Sequence, residues 1–142
     1  MTADLTSLIR VRAWHVDEKR RVVGRSLRHL DTLKAEARGL DREVTAERQV
    51  AKSSLAEAGV AYAGYIRRVL DRRAELAKAI SDAEAAVSAA TDDLARAYRD
   101  LKTVELAQEN RARREAVEAE RRQTMALDEI ALQGYRRRGL LR

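Results

Sequence analysis

The side chains that could do chemistry are few, and their spacing keeps them apart. His15 and His29 stand fourteen residues apart, so on one helix they would be about 21 Å apart, too far to share a metal ion. Asp92 and Asp93 are adjacent, so on a helix their carboxylates point about 100° apart and cannot act together. The sequence has no cysteine, no phosphate-cradling glycine loop and no Ser–His–Asp arrangement. We therefore expect no enzyme activity, no metal and no cofactor.

Aromatic residues are also sparse. Trp14 is the single tryptophan and lies in a basic segment, where it is either a packing residue or an exposed anchor for a partner; we favour the anchor. Ordinary helix packing accounts for Tyr62, Tyr65 and Tyr98. The net charge of +6 permits acidic protein, nucleic acid or anionic lipid as a partner. Acids interspersed among the arginines, and too few aromatics for base stacking, argue against nucleic acid.

Two features of the sequence predict the secondary structure that positions these residues. Apolar residues recur every seven positions, and the 142 residues include no proline. Such spacing predicts helices that bury a narrow seam against each other. The first ladder consists of Ile9, Val16, Val23, Leu30, Ala37, Val44, Ala51 and Ala58. A second helix carries two columns, apolar at eleven of twelve positions: Ile66, Arg73, Ile80, Val87, Leu94, Leu101, and Val69, Leu76, Ala83, Ala90, Ala97, Val104.

These patterns predict one all-α domain over residues 1–142, a long antiparallel two-helix coiled-coil hairpin with helix 2 overhanging helix 1. Helix 1 is expected over about 4–57, a glycine-containing tip over about 58–64, and helix 2 over about 65–138. A reversal near residue 61 would place Ile9 opposite about Arg113. The remaining part of helix 2 has no partner helix within the chain, so we expect it to bind something else. No apolar run approaches the roughly 18 residues of a membrane span, and we expect a cytoplasmic protein.

Several short motifs, in order, resemble the FliJ family, the coiled-coil stalk proteins of flagellar type III export, which have counterparts in injectisomes. They are Leu5-x-x-Leu8, Val16-Asp17-Glu18 and Val22-Val23-Gly24 near the start, and Leu127-Asp128-Glu129-Ile130-Ala131 near the end. The resemblance covers nearly the whole chain. It implies a role in flagellum biogenesis, protein transport and motility.

The resemblance also implies partners. FliJ-type proteins are similar to the rotor coiled coil of rotary ATPases; they sit at the central pore of a hexameric export ATPase, link it to the export gate protein, and escort export chaperones. The chain would then lie at the inner face of the membrane, held there through its partners. The family's gate-contacting surface matches Leu40, Leu76 and Ala79.

For the ATPase, we expect contacts from basic residues near both ends of the chain, with an apolar patch in the last part of helix 2 as the alternative contact. The candidates are Arg10, Arg12, Arg20, Arg21, Arg113, Arg114, Arg121 and Arg122, and, in the patch, Met125, Leu127 and Ile130. Two other hypotheses remain open. The chain could be a generic coiled-coil scaffold or escort for export chaperones, or two hairpins could associate along their alanine-rich middle as a four-helix bundle.

Overall fold

The structure, a computed structural model, describes residues 5–53 and 59–140, apart from the side chain of Val60. Two α-helices form this part of the chain: α1, Leu5–Ser53, and α2, Gly59–Leu140. They pack against each other in opposite directions, and the described residues contain no strand. The predicted all-α helical hairpin is confirmed.

The helix bounds differ from the prediction where the chain reverses. Because α2 begins at Gly59, the part of the expected tip over residues 59–64 is helical. Glycine costs a helix about 1 kcal/mol relative to alanine, and the alanines and apolar residues around this pair allow the helix to include both glycines without a positive φ angle. The end predicted for helix 1 and the first residue of the tip fall in 54–58, outside the described residues.

Two compact units can be distinguished along the chain, and each is described by itself. We call residues 1–12 and 99–142 the terminal unit, and residues 13–98 the hairpin unit. Both α1 and α2 contribute residues to each unit.

The core of the hairpin unit consists of the predicted seam columns. On α1 the buried residues are Val16, Leu30 and Val44, and the ladder positions between them are half-buried. On α2 one column is buried at every seventh residue: Val69, Leu76, Ala83, Ala90 and Ala97. Alanine in much of this column leaves room for the bulkier ladder of α1, so large and small side chains alternate across the seam. The core is narrow, and most of the other residues of the hairpin unit are exposed to solvent.

Ion pairs beside the seam hold the two helices of the hairpin unit in register. Arg73 reaches Asp41 at 2.8 Å, and Arg72 reaches Glu36 at 3.0 Å. All four side chains are about half exposed, so each pair contributes only about 0 to 1 kcal/mol. These ion pairs mark the register of the two helices, because a shift of one helix along the other would separate the charged groups.

The terminal unit pairs the first turns of α1 with the part of α2 that starts at Arg99. Arg12 and Asp100 form an ion pair at 3.7 Å, which places Ile9 opposite about residue 103 in an antiparallel pair. The expectation that Ile9 would face Arg113 is therefore wrong. The physical reason is that α2 begins at Gly59, earlier than expected, so the chain reverses earlier and the pairing shifts. Neither described helix contains a stretch whose length and hydropathy would let it cross a bilayer.

Candidate functional site

The residues with possible catalytic chemistry remain separate. His15 and His29 are both exposed on α1, and the described residues contain no group of histidines and acids that could hold a metal ion. Asp93 pairs with Arg96 one turn later, at 3.5 Å.

The most distinctive surface belongs to the terminal unit. Half-buried positions on α2 continue to Arg111, and every residue from 112 to 140 is exposed. We call residues 112–140 the C-terminal extension. It contains seven arginines and five carboxylates, and none of these side chains forms an ion pair with any described residue. This helix has no packing partner in the part of the chain that the structure describes.

The C-terminal extension also exposes large apolar side chains. Met125 is 70% exposed, Leu127 59% and Ile130 64%. Isolated exposed leucines are common on proteins, but several on one unpartnered helix mark a surface that another molecule can cover. The arginine candidates Arg113, Arg114, Arg121 and Arg122 lie on the same helix and are also exposed. The extension therefore combines basic and apolar contacts.

The basic candidates on α1 differ in availability. In the terminal unit, Arg10 is exposed, whereas Arg12 is half-buried and pairs with Asp100; the Arg12 Nε atom is buried without a hydrogen-bond partner among the described residues. In the hairpin unit, Arg20 donates a hydrogen bond to the Tyr98 hydroxyl and lies over its ring at 5.2 Å. Arg21 pairs with Glu18. Arg12, Arg20 and Arg21 thus already have partners within their own units, whereas Arg10 has none among the residues that the structure describes.

The three gate candidates all lie in the hairpin unit. Leu40 and Leu76 line one shallow groove of about 240 Å³ together with Arg73 and Asp41. Leu76 is only 4% exposed, so it is a core residue. Leu40 and Ala79 are half-buried. A partner could reach Leu40 and Ala79 directly, whereas it could reach Leu76 only at the floor of the groove.

Two features of this region were missed by the sequence analysis. Arg73 interrupts an apolar column because it pairs with Asp41, and a charged residue in such a column is itself a signal for a partner on the facing helix. Tyr65 is half-buried and its hydroxyl has no hydrogen-bond partner among the described residues. Burial, and then the nearby carboxylates of Glu43 and Glu47, raise the pKa of Tyr65 above its ordinary value. Sequence spacing alone carries no signal for that environment.

Comparisons with known proteins identify one family. The family model described as "Flagellar FliJ protein" matches residues 1–140. No curated protein and no solved structure matches the chain. The family match extends over both described helices and includes all of the candidate residues above.

Proposed function

Because this chain belongs to the FliJ family of flagellar proteins, we propose that it binds the hexameric export ATPase and couples that ATPase to the export gate as a central-stalk coiled coil. Membership makes the chain a component of the flagellar type III export apparatus, with a structural role rather than an enzymatic one. The ATPase, the gate and the place at the inner face of the membrane belong to the proposal.

One observation carries the ATPase contact: the C-terminal extension is a long, continuous helix with no partner among the described residues. An unpartnered helix that exposes both arginines and large apolar side chains suits insertion into a groove or pore of another protein. Its arginines can find carboxylates on the ATPase, because none of them is engaged within the described part of the chain.

Exposed ion pairs and a few apolar contacts suit a stalk that must stay bound to the ATPase and still move relative to its subunits. Each exposed ion pair contributes about 0 to 1 kcal/mol and can exchange partners. Burial of an exposed apolar side chain such as Met125 or Ile130 adds about 1.5 to 3 kcal/mol. Several weak charged contacts around a few apolar ones would give an interface that is stable overall and still permits movement between equivalent subunits of a hexamer.

The ATPase contact can be tested with charge reversals. Arg121→Glu combined with Arg122→Glu should abolish the effect of the purified protein on hexamer formation and turnover of the cognate export ATPase. Arg67→Glu combined with Arg68→Glu is the matched control, because it makes the same change of charge at two exposed residues of the hairpin unit. Circular dichroism should show equal helix content. If the wild-type protein changes neither hexamer fraction nor turnover, the ATPase proposal is wrong.

The gate contact needs a separate test, because its candidates lie in the hairpin unit. Ala79→Glu places a charge on a half-buried position next in sequence to Ile80, which lines the groove, and should weaken binding to the cytoplasmic part of the gate protein. Ala95→Glu is the control, since it introduces the same residue at an exposed alanine of the same helix. Equal binding by both variants and the wild type would exclude this surface.

The second candidate function, an escort of export chaperones, is favoured by the exposed apolar side chains of the C-terminal extension. Serine at Met125, Leu127 and Ile130 removes those contacts while keeping every charge. Loss of chaperone binding with ATPase stimulation intact would favour the escort. Loss of ATPase stimulation would instead assign the apolar patch to the ATPase.

A further inference from the structure

The side of α1 that points away from the seam carries the one tryptophan of the chain. Trp14 is 58% exposed, and at 3.6 residues per turn it lies on the face of α1 opposite Val16 and Val23. Its ring meets the ring of His15 edge to face, with centroids 5.2 Å apart. The indole is therefore displayed on the surface, and the neighbouring ring restricts its orientation.

Arginines continue the same face toward the C-terminal end of α1. Arg21, Arg25 and Arg28 follow Trp14 at seven, eleven and fourteen residues, which keeps all four on one side of a helix over about 21 Å. Arg25 and Arg28 form no ion pair with any described residue. The Arg28 guanidinium lies back over Gly24, 3.5 Å from where a Cβ atom would stand.

We infer that this outer face of α1, defined by Trp14, Arg21, Arg25 and Arg28, is a docking surface for an acidic protein partner. Tryptophan and arginine are the residues that most often dominate binding energy at protein interfaces, and a restrained tryptophan loses little entropy on binding. Two arginines without partners call for carboxylates on the other molecule. The partner thus presents an acidic surface with an apolar site that accepts the indole.

The composition of the same stretch disfavours other anionic partners. Asp17 and Glu18 lie among the basic residues and would face the phosphates of a bilayer or a nucleic acid. A helix that lies in a membrane surface needs a continuous apolar face, whereas Trp14 is the single large apolar residue of this one. In a protein interface the two acids can instead remain paired, as Asp17 is with Arg20 and Glu18 with Arg21. This surface lies in the hairpin unit and shares only Arg21 with the ATPase candidates, so it stands independently of the proposed function.

The single tryptophan reports directly on its own surface. The probe is a synthetic helical peptide with glutamates on one face and a leucine among them; the same peptide with lysines is the reference. The glutamate peptide should shift the fluorescence of Trp14 to shorter wavelength in the full-length protein, and the lysine peptide should not. Arg25→Glu with Arg28→Glu should weaken that binding about tenfold or more. Trp14→Ala, measured with a labelled peptide, should weaken it by a similar factor.

The matched control is Arg38→Glu with Arg42→Glu, two exposed arginines on the same helix and in the same unit. They lie about 20 Å farther along α1, beyond the screening length at physiological salt, so binding should change less than about twofold. An equal loss in both double variants would overturn the inference, because binding would then follow net charge alone. No shift of the Trp14 emission with the glutamate peptide would overturn it too. Tighter binding to phosphatidylserine vesicles or to duplex DNA than to the peptide would assign the surface to a lipid or a nucleic acid instead.

Discussion

Replacement of Leu76 by alanine should destabilise the hairpin unit substantially. Leu76 is 4% exposed, and the substitution removes three carbon atoms, which at about 0.8 kcal/mol each corresponds to about 2.4 kcal/mol of lost burial. The groove of about 240 Å³ that Leu76 lines is open to solvent, so the new space joins it instead of becoming a sealed cavity. The additional cavity term should therefore be small, and we expect a total loss of about 2.5 to 3.5 kcal/mol, in the lower part of the range for buried leucines.

Urea unfolding followed by circular dichroism measures this loss, and thermal unfolding should shift by about 10 °C. Leu70→Ala is the matched control, because Leu70 belongs to the same helix and is 57% exposed; it should cost less than about 0.5 kcal/mol. An equal cost for the two variants would refute the assignment of Leu76 to the core. The result also bears on gate binding, since a gate defect in Leu76→Ala would then follow from loss of structure rather than from a lost contact.

Three further substitutions test other parts of the hairpin unit. Arg73→Leu completes the apolar column and gives up an exposed pair with Asp41, so it should raise the free energy of unfolding in urea by about 0.5 to 1.5 kcal/mol; a decrease would mean that the pair matters more than its exposure indicates. Gly39→Ala should add about 1 kcal/mol, because a Cβ atom there meets nothing within 4 Å; a lower melting temperature would contradict this. Tyr65→Phe removes a phenol whose pKa is raised by burial. Because the raised pKa makes Tyr65 lower the stability of the folded state as pH rises above about 10, the melting temperatures of the variant and the wild type should diverge there in favour of the variant. Parallel melting curves would contradict this prediction.

The fold was predictable because each of its determinants is local. Absence of proline, abundance of alanine and charged residues, and the seven-residue repeat all act within a few turns of one helix. The buried column from Val69 to Ala97 is the one that the repeat predicts. The register was not predictable from the same pattern. The residue opposite Ile9 differs from the expected one by about ten positions, and this register is marked by contacts such as Arg12 with Asp100 between distant parts of the chain.

For the candidate residues too, the sequence predicted some properties and the structure was needed for others. Spacing identified Leu76 as both a gate candidate and a seam residue and favoured the core, and its burial agrees with the core assignment. Arg20 and Arg21 read as free basic residues until the structure paired them with Tyr98 and Glu18. Trp14 could have been a packing residue or an exposed anchor, and its exposure on the outer face of α1 shows that it is not a core residue.

By itself, the sequence determined that this protein consists of two long helices with one narrow seam and a surplus of basic charge, since helix periodicity and charge are properties of neighbouring residues. Tertiary structure decided where α1 lies against α2, which arginines are already paired, and where pairing ends so that the C-terminal extension begins at residue 112. Those outcomes depend on which of several nearly equivalent pairings of distant segments satisfies the charges beside the seam. Local pattern cannot rank such pairings, because it does not specify which residues of two distant segments face each other.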